Sequence, residues 1–281
     1  MILVTGAAGK TGLAIIQSLS SMGMDTRALI HRAEREKEVK AAGAVEVQIG
    51  DMESGPDMAT ALKGIEAVYF IVPNVHPKEI EIGKTAISES KNAGILHFVY
   101  HSVLFPQIKA MPHHWRKLRV EEALIQSGLP FSILQPANYI QNILAYWNSI
   151  EAEGVMRIPY SVDALSTPVD LQEVAEVAAK VLSSEDHFGA SYELAGPQRL
   201  SFAQIAEIVG NHLDKDVQAN EIALEEWQAS VRADGLDEER LQTLSMMFSY
   251  YKNHNFIGNS QVLTQLLGRQ PSSFAEFLAK I

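Results

Sequence analysis

The stretch Val4-Thr5-Gly6-Ala7-Ala8-Gly9-Lys10-Thr11-Gly12 limits the fold more than any other part of the chain. It follows a short apolar run, Ile2–Val4, and leads into Leu13, Ile16 and Leu19, apolar positions at helical spacing. Three glycines set between a strand and a helix have separate duties. Gly6 permits a tight turn, Gly9 lets backbone approach a pyrophosphate with no Cβ in the way, and Gly12 lets the helix pack closely on the strand. The first helical turn, with Ala8, Lys10 and Thr11 around it, then offers unpaired N–H groups to an anion. A Walker-type loop is a different device. Gly9-Lys10-Thr11 contains its closing tripeptide, but the spacing from Gly6 to Gly9 is too short for it.

A glycine triplet alone is weak, and its setting gives it weight. Apolar β-like runs recur at Thr26–Ile30, Val45–Ile49, Ala67–Val72, Phe98–Tyr100 and Phe131–Leu134, with helix-length segments between them. Strand and helix alternating at this spacing imply βαβ units, hence an α/β fold with a Rossmann doubly wound parallel sheet and helices on both faces. Ala67–Val72 is apolar at every position, as a central strand covered on both sides should be.

After Pro136 the pattern becomes mainly helical. Periodicity predicts helices over Tyr139–Glu153 and from Asp170 onward, where Leu171, Val174, Ala175, Ala178, Val181 and Leu182 share a face. Asp170 with Glu173, Ser201 with Gln204, and Ser273 with Glu276 have the spacing of capping boxes. Residues 1–150 are therefore expected to form the dinucleotide-binding domain. Residues 151–281 are expected to form a smaller substrate part packed on it, with some elements returning to the first domain.

The residues after the second strand choose the cofactor. An acid there would bond a ribose 2′-hydroxyl, and a base would pair with a 2′-phosphate. The chain reads Ile30-His31-Arg32, with no acid before Glu34, which favours NADP over NAD. Composition narrows the class further. A net charge of −11 lacks the basic field that nucleic acid attracts, and the basic run from Lys109 to Arg119 reads as a solvated helix. No long apolar run predicts a membrane span, and no leader peptide is readable. With no cysteine, thiolate catalysis and disulfides are excluded, and a reducing cytoplasm fits. The expected partner is a small-molecule substrate, and a homodimer is compatible with the sequence.

Three motifs carry a resemblance to the NmrA-like family, atypical members of the short-chain dehydrogenase/reductase superfamily, and within it to the quinone oxidoreductase type. They are Thr5–Gly12; Ile49-Gly50-Asp51-Met52 followed by Ala61-Leu62-Lys63-Gly64-Ile65-Glu66-Ala67-Val68; and Pro112-His113-His114-Trp115-Arg116-Lys117 with Val120-Glu121-Glu122 and Gln135-Pro136-Ala137-Asn138-Tyr139-Ile140-Gln141-Asn142. The resemblance weakens after about residue 215. It implies that Asp51 and Met52 lie near the adenine, that Val72 and Pro73 line the dinucleotide cleft, and that Ser102 follows the fifth strand. It also implies that Lys117 reaches the nicotinamide ribose and that Pro136, Asn138 and Tyr139 flank the nicotinamide. The superfamily places a tyrosine four residues before that lysine. Here His113 stands there, so the usual Tyr-Lys proton donor is missing.

His101, His113 and His114 lack further ligands at metal spacing, so no metal site is expected. His113 reads equally as an acid–base group and as a packed histidine. Ser102 lies in no nucleophile elbow. Tyr139, Tyr146, Trp147, Met156 and Tyr160 read either as an aromatic pocket for a flat acceptor or as helix packing. Two functions follow. One is an NADPH-dependent reductase of an apolar conjugated acceptor such as a quinone, with Lys117 and His113 as catalytic candidates. The other is a non-catalytic NADP-binding redox sensor acting through a protein partner.

Overall fold

The computed structural model describes residues 1–281, which divide into two compact units. The first holds Met1–Gln107, His114–Gln135 and Leu171–Tyr192. The second holds Ile108–His113, Pro136–Asp170 and Glu193–Ile281. The chain thus passes into the second unit at Pro136, and a later helix returns to the first.

The first unit is a Rossmann-like sheet. Its strands are β1 (Ile2–Val4), β2 (Thr26–Ile30), β3 (Glu46–Ile49), β4 (Ala67–Phe70), β5 (His97–His101), β6 (Phe131–Pro136) and β8 (Ala190–Leu194), in the order β3-β2-β1-β4-β5-β6-β8. From β3 to β6 every neighbouring pair is parallel, for example Val4↔Ala28 and Val4↔Tyr69. Strand order reverses between β1 and β4, which leaves a crevice at the carboxyl ends where this fold binds ligands.

The two faces follow from the period of two along each strand. Leu3, Leu29, Val68, Phe70, Phe98, Tyr100 and Ile133 enter one core cluster. There they meet Met58 and Ala61 of α3 (Gly55–Ala61), Ile82 and Ala86 of α4 (Glu79–Asn92), and Val120 and Leu124 of α5 (Pro112–Ser127). On the opposite face α1 (Lys10–Ser21) packs against α7 (Leu171–Leu182), whose six predicted core positions are all buried. Each large apolar side chain fully buried here contributes roughly 1.5–3 kcal/mol. The short α2 (Glu36–Ala41) precedes β3.

The second unit has its own core, with Ile140, Ile150, Met156, Ile158, Leu200, Ile205, Phe274 and Leu278 among its members. It contains α6 (Trp147–Glu153), β7 (Val155–Ile158), α8 (Phe202–Leu213), β9 (Gln218–Glu221), α9 (Leu224–Ala233), α10 (Glu238–Asn253), α11 (Gln261–Leu267) and α12 (Phe274–Leu278). The predicted capping boxes at Ser201/Gln204 and Ser273/Glu276 are both formed. Two features differ from the sequence reading. The expected helix over Tyr139–Glu153 is a 3-10 segment, Ile140–Tyr146, followed by α6. In addition, β7 and β9 form a small parallel sheet that polar residues such as Arg157, Gln218 and Asn220 conceal in the sequence. No helix is long and apolar enough to cross a membrane.

Candidate functional site

Because β1 to β6 run parallel, the segments that follow them share the sheet's carboxyl edge. The loop after β1 is held there by Thr5. Its hydroxyl donates to the Ile71 carbonyl at 2.8 Å and accepts from the Ile71 N–H at 2.9 Å, tying the loop to the end of β4. Gly6 has φ +54°, the left-handed region, and a Cβ there would lie 3.0 Å from the Ile71 oxygen. At Gly12 a Cβ would lie 2.4 Å from the Gly6 carbonyl and 2.7 Å from that of Ala7, so α1 can start this close to β1 only with glycine. Thr11 is buried with it.

Gly9 is different. A Cβ there would meet only the Gly6 oxygen, at 3.3 Å, a tight but single contact, so the chain's own packing requires glycine far less than at Gly12. Gly9 is the N-cap of α1 and brings no side-chain cap, and both it and Lys10 are exposed. An uncapped, twelve-residue helix opening at the crevice through a glycine is a cradle suited to a pyrophosphate. The residues present fit a dinucleotide.

Around this loop, His31 and Arg32 are exposed directly after β2. Arg35, which sequence reasoning passed over, donates to the Ala8 carbonyl at 2.7 Å and pairs with Glu38. After β3 the Asp51 N–H donates to Asp57 at 2.9 Å, the Asp51 carboxylate accepts from Glu53 N–H, and Met52 packs on the core. After β4, Val72 is buried and Pro73 exposed. Val75 and Phe105, in the loops after β4 and β5, hold left-handed backbone at φ 51° and 54°. Non-glycine residues adopt this conformation at a cost, and such strain gathers at functional edges.

Lys117 of α5 lies in the same unit and is only 5% exposed. Its Nζ donates to Glu79 Oε1 at 2.6 Å and to the His101 carbonyl at 3.0 Å, and it lies 5.2 Å from the centroid of the Tyr100 ring. The Tyr100 hydroxyl donates to the same Glu79 oxygen at 2.9 Å. One turn along α5, Glu121 accepts from the Ser102 hydroxyl and from Gln135 Nε2 at 2.9 Å. Burial pushes the Glu121 carboxyl up, against the pull of Ser102, Gln135 and Lys117.

His101 shares a 2.5 Å hydrogen bond with the Tyr69 hydroxyl, and burial next to Lys117 pushes its pKa down to about 3. Burial likewise takes His114 to about 4, so both rings are neutral near pH 7. Neither Glu79 nor Glu121 stands out as a site residue in the sequence. A signal existed, because Glu79 falls on the buried stripe of Ile82, Gly83 and Ala86. A carboxylate at a core position of a helix is rare unless it is paired.

The remaining candidates belong to the second unit. Pro136 is buried, and the backbone on either side of Tyr139 is anchored to Val169, whose N–H donates to the Asn138 carbonyl and whose carbonyl accepts from the Ile140 N–H, both at 2.9 Å. His113 is 4% exposed. Tyr146 and Tyr160 meet the Phe202 ring edge-on at 6.0 and 5.9 Å, and Tyr160 stacks on Phe248 at 5.4 Å. None of these four rings is fully buried.

Comparison with known proteins covers the whole chain. The NmrA-like family model matches residues 1–278. The NAD(P)H azoreductase of Xenophilus azovorans is 26% identical over 278 residues, 99% of this chain and 96% of that protein. The crystal structure of an NADPH-dependent quinone oxidoreductase from Escherichia coli, complexed with NADPH, is similar with a TM-score of 0.87 at 23% identity, covering 100% of this chain and 99% of that one. NmrA itself, described as a negative transcriptional regulator and solved in complex with NADP, gives 0.80 at 19% identity, over 100% of this chain and 94% of that one. At these identities the two solved structures bear on the fold alone.

Proposed function

The chain belongs to the NmrA-like family, and on that basis we propose that it is an NADPH-dependent oxidoreductase whose acceptor is a flat, conjugated molecule such as a quinone. The observation that carries the reading is the loop at Gly9. It joins an uncapped helix start, a glycine that the chain's own packing requires far less than Gly12, and exposed bases at the end of the adjacent strand.

The residues have distinct work. The first-turn N–H groups of α1 bind the pyrophosphate, and Thr5 keeps the loop at the height of β4. Arg32 supplies positive charge and His31 a ring N–H for a 2′-phosphate, and Arg35 stiffens the loop through Ala8. Asp51, Met52, Val72 and Pro73 line the dinucleotide. NADPH, when bound, supplies a hydride, two electrons and one proton, and a second proton from water completes the reduced acceptor. Lys117 orients the ribose and adds positive charge. With His113 in the tyrosine's place, an acceptor whose oxyanion is stable in water suits this chain best.

A second reading, a non-catalytic NADP sensor acting through a protein partner, draws on one observation: Lys117 is buried in an ion pair. Steady-state oxidation of NADPH with a panel of quinones, azo dyes and aldehydes separates the two. Turnover above the enzyme-free rate is expected with at least one quinone. Tight NADPH binding with no acceptor reduced abandons the reductase for the sensor.

A further inference from the structure

The ion pair between Lys117 and Glu79 joins residues 38 positions apart, and a glycine sets the distance between them. The helices α4 and α5 meet where Gly83 faces Val120. A Cβ at Gly83 would lie 2.7 Å from both Val120 methyl carbons, so only glycine allows this approach. Glu79 is one turn before Gly83, and Lys117 is about one turn before Val120. Both helices advance from the same contact, so the carboxylate and the ammonium arrive side by side under the end of β5.

Glu79 has no exposed surface, and two donors converge on its Oε1, the Lys117 ammonium and the Tyr100 hydroxyl. Of the two buried carboxyls near the lysine, only Glu79 bonds it, since Glu121 is occupied by Ser102 and Gln135. An ammonium has three N–H donors, and Glu79 and the His101 carbonyl take two of them. Well-packed apolar residues would stabilise such a position equally well or better. A buried ion pair kept in place of an apolar contact fits a geometric duty, because a long, flexible side chain is here held in one rotamer.

Building on the dinucleotide reading above, we propose that Glu79, itself oriented by Tyr100, is a positioning residue that fixes Lys117 so that its remaining N–H is presented to the nicotinamide ribose in a single orientation. Glu79 touches neither cofactor nor substrate. It acts through the lysine, and Tyr100 takes part from the penultimate position of β5.

The test reads binding, so it does not depend on turnover. NADPH is titrated by the fluorescence of the reduced nicotinamide into wild type, Glu79→Gln, Tyr100→Phe, Lys117→Met and the Glu79→Gln/Lys117→Met double variant, with the melting temperature of each. Lys117→Met and Glu79→Gln should each raise the Kd about two- to tenfold, the range for one lost hydrogen bond, and alter the bound emission alike. In the Lys117→Met background, Glu79→Gln should add less than about twofold while raising the melting temperature, because no lone carboxylate then stays buried. Tyr100→Phe keeps the pair and should shift Kd in the same direction by less, which covers the case in which Glu79→Gln fails to fold. Wild-type affinity and emission in Glu79→Gln overturn the proposal. So does a penalty that persists undiminished without the lysine, the mark of a purely structural role. If wild type binds NADPH but reduces no acceptor, the reductase reading falls and this test stands. If it binds no NADPH, both fall.

Discussion

Thr5 and Ile71 hold each other in both directions, with the threonine hydroxyl giving a hydrogen bond to the isoleucine carbonyl and receiving one from its N–H. The side chain thus replaces a rung that the sheet lacks beyond β1 and β4, and it sets the loop's height at the crevice. Thr5→Val keeps the shape and removes both bonds. Two backbone groups are left without partners, so stability should fall by about 2–4 kcal/mol. NADPH affinity should fall with it. Denaturant unfolding and NADPH titration measure the two effects, and a variant as stable as wild type denies the clamp.

Gly9→Val should separate folding from binding. The added Cβ meets one backbone oxygen, at 3.3 Å, against three backbone atoms at 2.4–2.7 Å for Gly12, so the melting temperature should fall far less than in Gly12→Val. The branched side chain would stand where a pyrophosphate lies, and dinucleotide affinity should drop at least about a hundredfold, as steric exclusion from a close-approach site implies. Unchanged affinity in the folded variant removes the loop from the binding site.

Three bases near the loop have separable roles in cofactor binding. Arg32→Ala should weaken NADPH by about 1.5–3 kcal/mol and spare NADH, because a charge-assisted bond to the 2′-phosphate is lost. His31→Ala in parallel shows whether its neighbour shares that contact. Arg35→Ala releases the Ala8 carbonyl, a contact to the loop and not to the phosphate, so it should weaken both cofactors alike. Equal losses in Arg32→Ala would mean that this arginine does not read the 2′-phosphate.

The parallel sheet and the loop were legible because their signals are local. Short apolar runs, helix-length spacers and the three glycines each need only their own neighbours to be read. The segment after Tyr139 was not, because Ile140 and Ile143 stand three apart, a spacing that α and 3-10 turns share. Backbone bonds from Asn138 and Ile140 to Val169 then favour the tighter turn, and that partner is distant in sequence. The site splits the same way. Lys117 could be placed by motif, but its carboxylate was harder to read, since Glu79 stands between Lys78 and Glu81, like a solvated helix start, and its spacing to Ile82, Gly83 and Ala86 is the sign against that.

Stability should depend on pH through the buried histidines. Burial holds His97 and His114 at about 4 and His101 at about 3, each below the free value of 6.5. Above about pH 6.5 the ring is neutral in both states and contributes nothing to the slope. Below it the unfolded chain takes up protons that the folded protein refuses, so stability falls as pH drops from about 6.5 towards 4. The loss is about 1.4 kcal/mol per pH unit for each histidine. Glu121, pushed up by burial, acts in the opposite sense because the folded state binds its proton more tightly. Urea unfolding at several pH values should therefore show a steep decline on the acid side. A flat profile across that window would mean that the three rings titrate as if exposed.

The last prediction concerns His113, which stands where the superfamily keeps its tyrosine. It lies 4% exposed at the start of α5, one turn before Lys117. A quinone needs no acid at the moment of hydride transfer, because its oxyanion survives until water protonates it. With quinones, His113→Ala should therefore lower kcat by less than about threefold, well short of the hundredfold or more that a general acid contributes. Lys117→Met misplaces the ribose and should lower kcat about tenfold or more with every acceptor, because reactive geometry is lost regardless of what receives the hydride. The two variants thus give different patterns across acceptors. A hundredfold loss for His113→Ala with a quinone, at unchanged NADPH affinity, would make this histidine the proton donor and assign it the missing tyrosine's role.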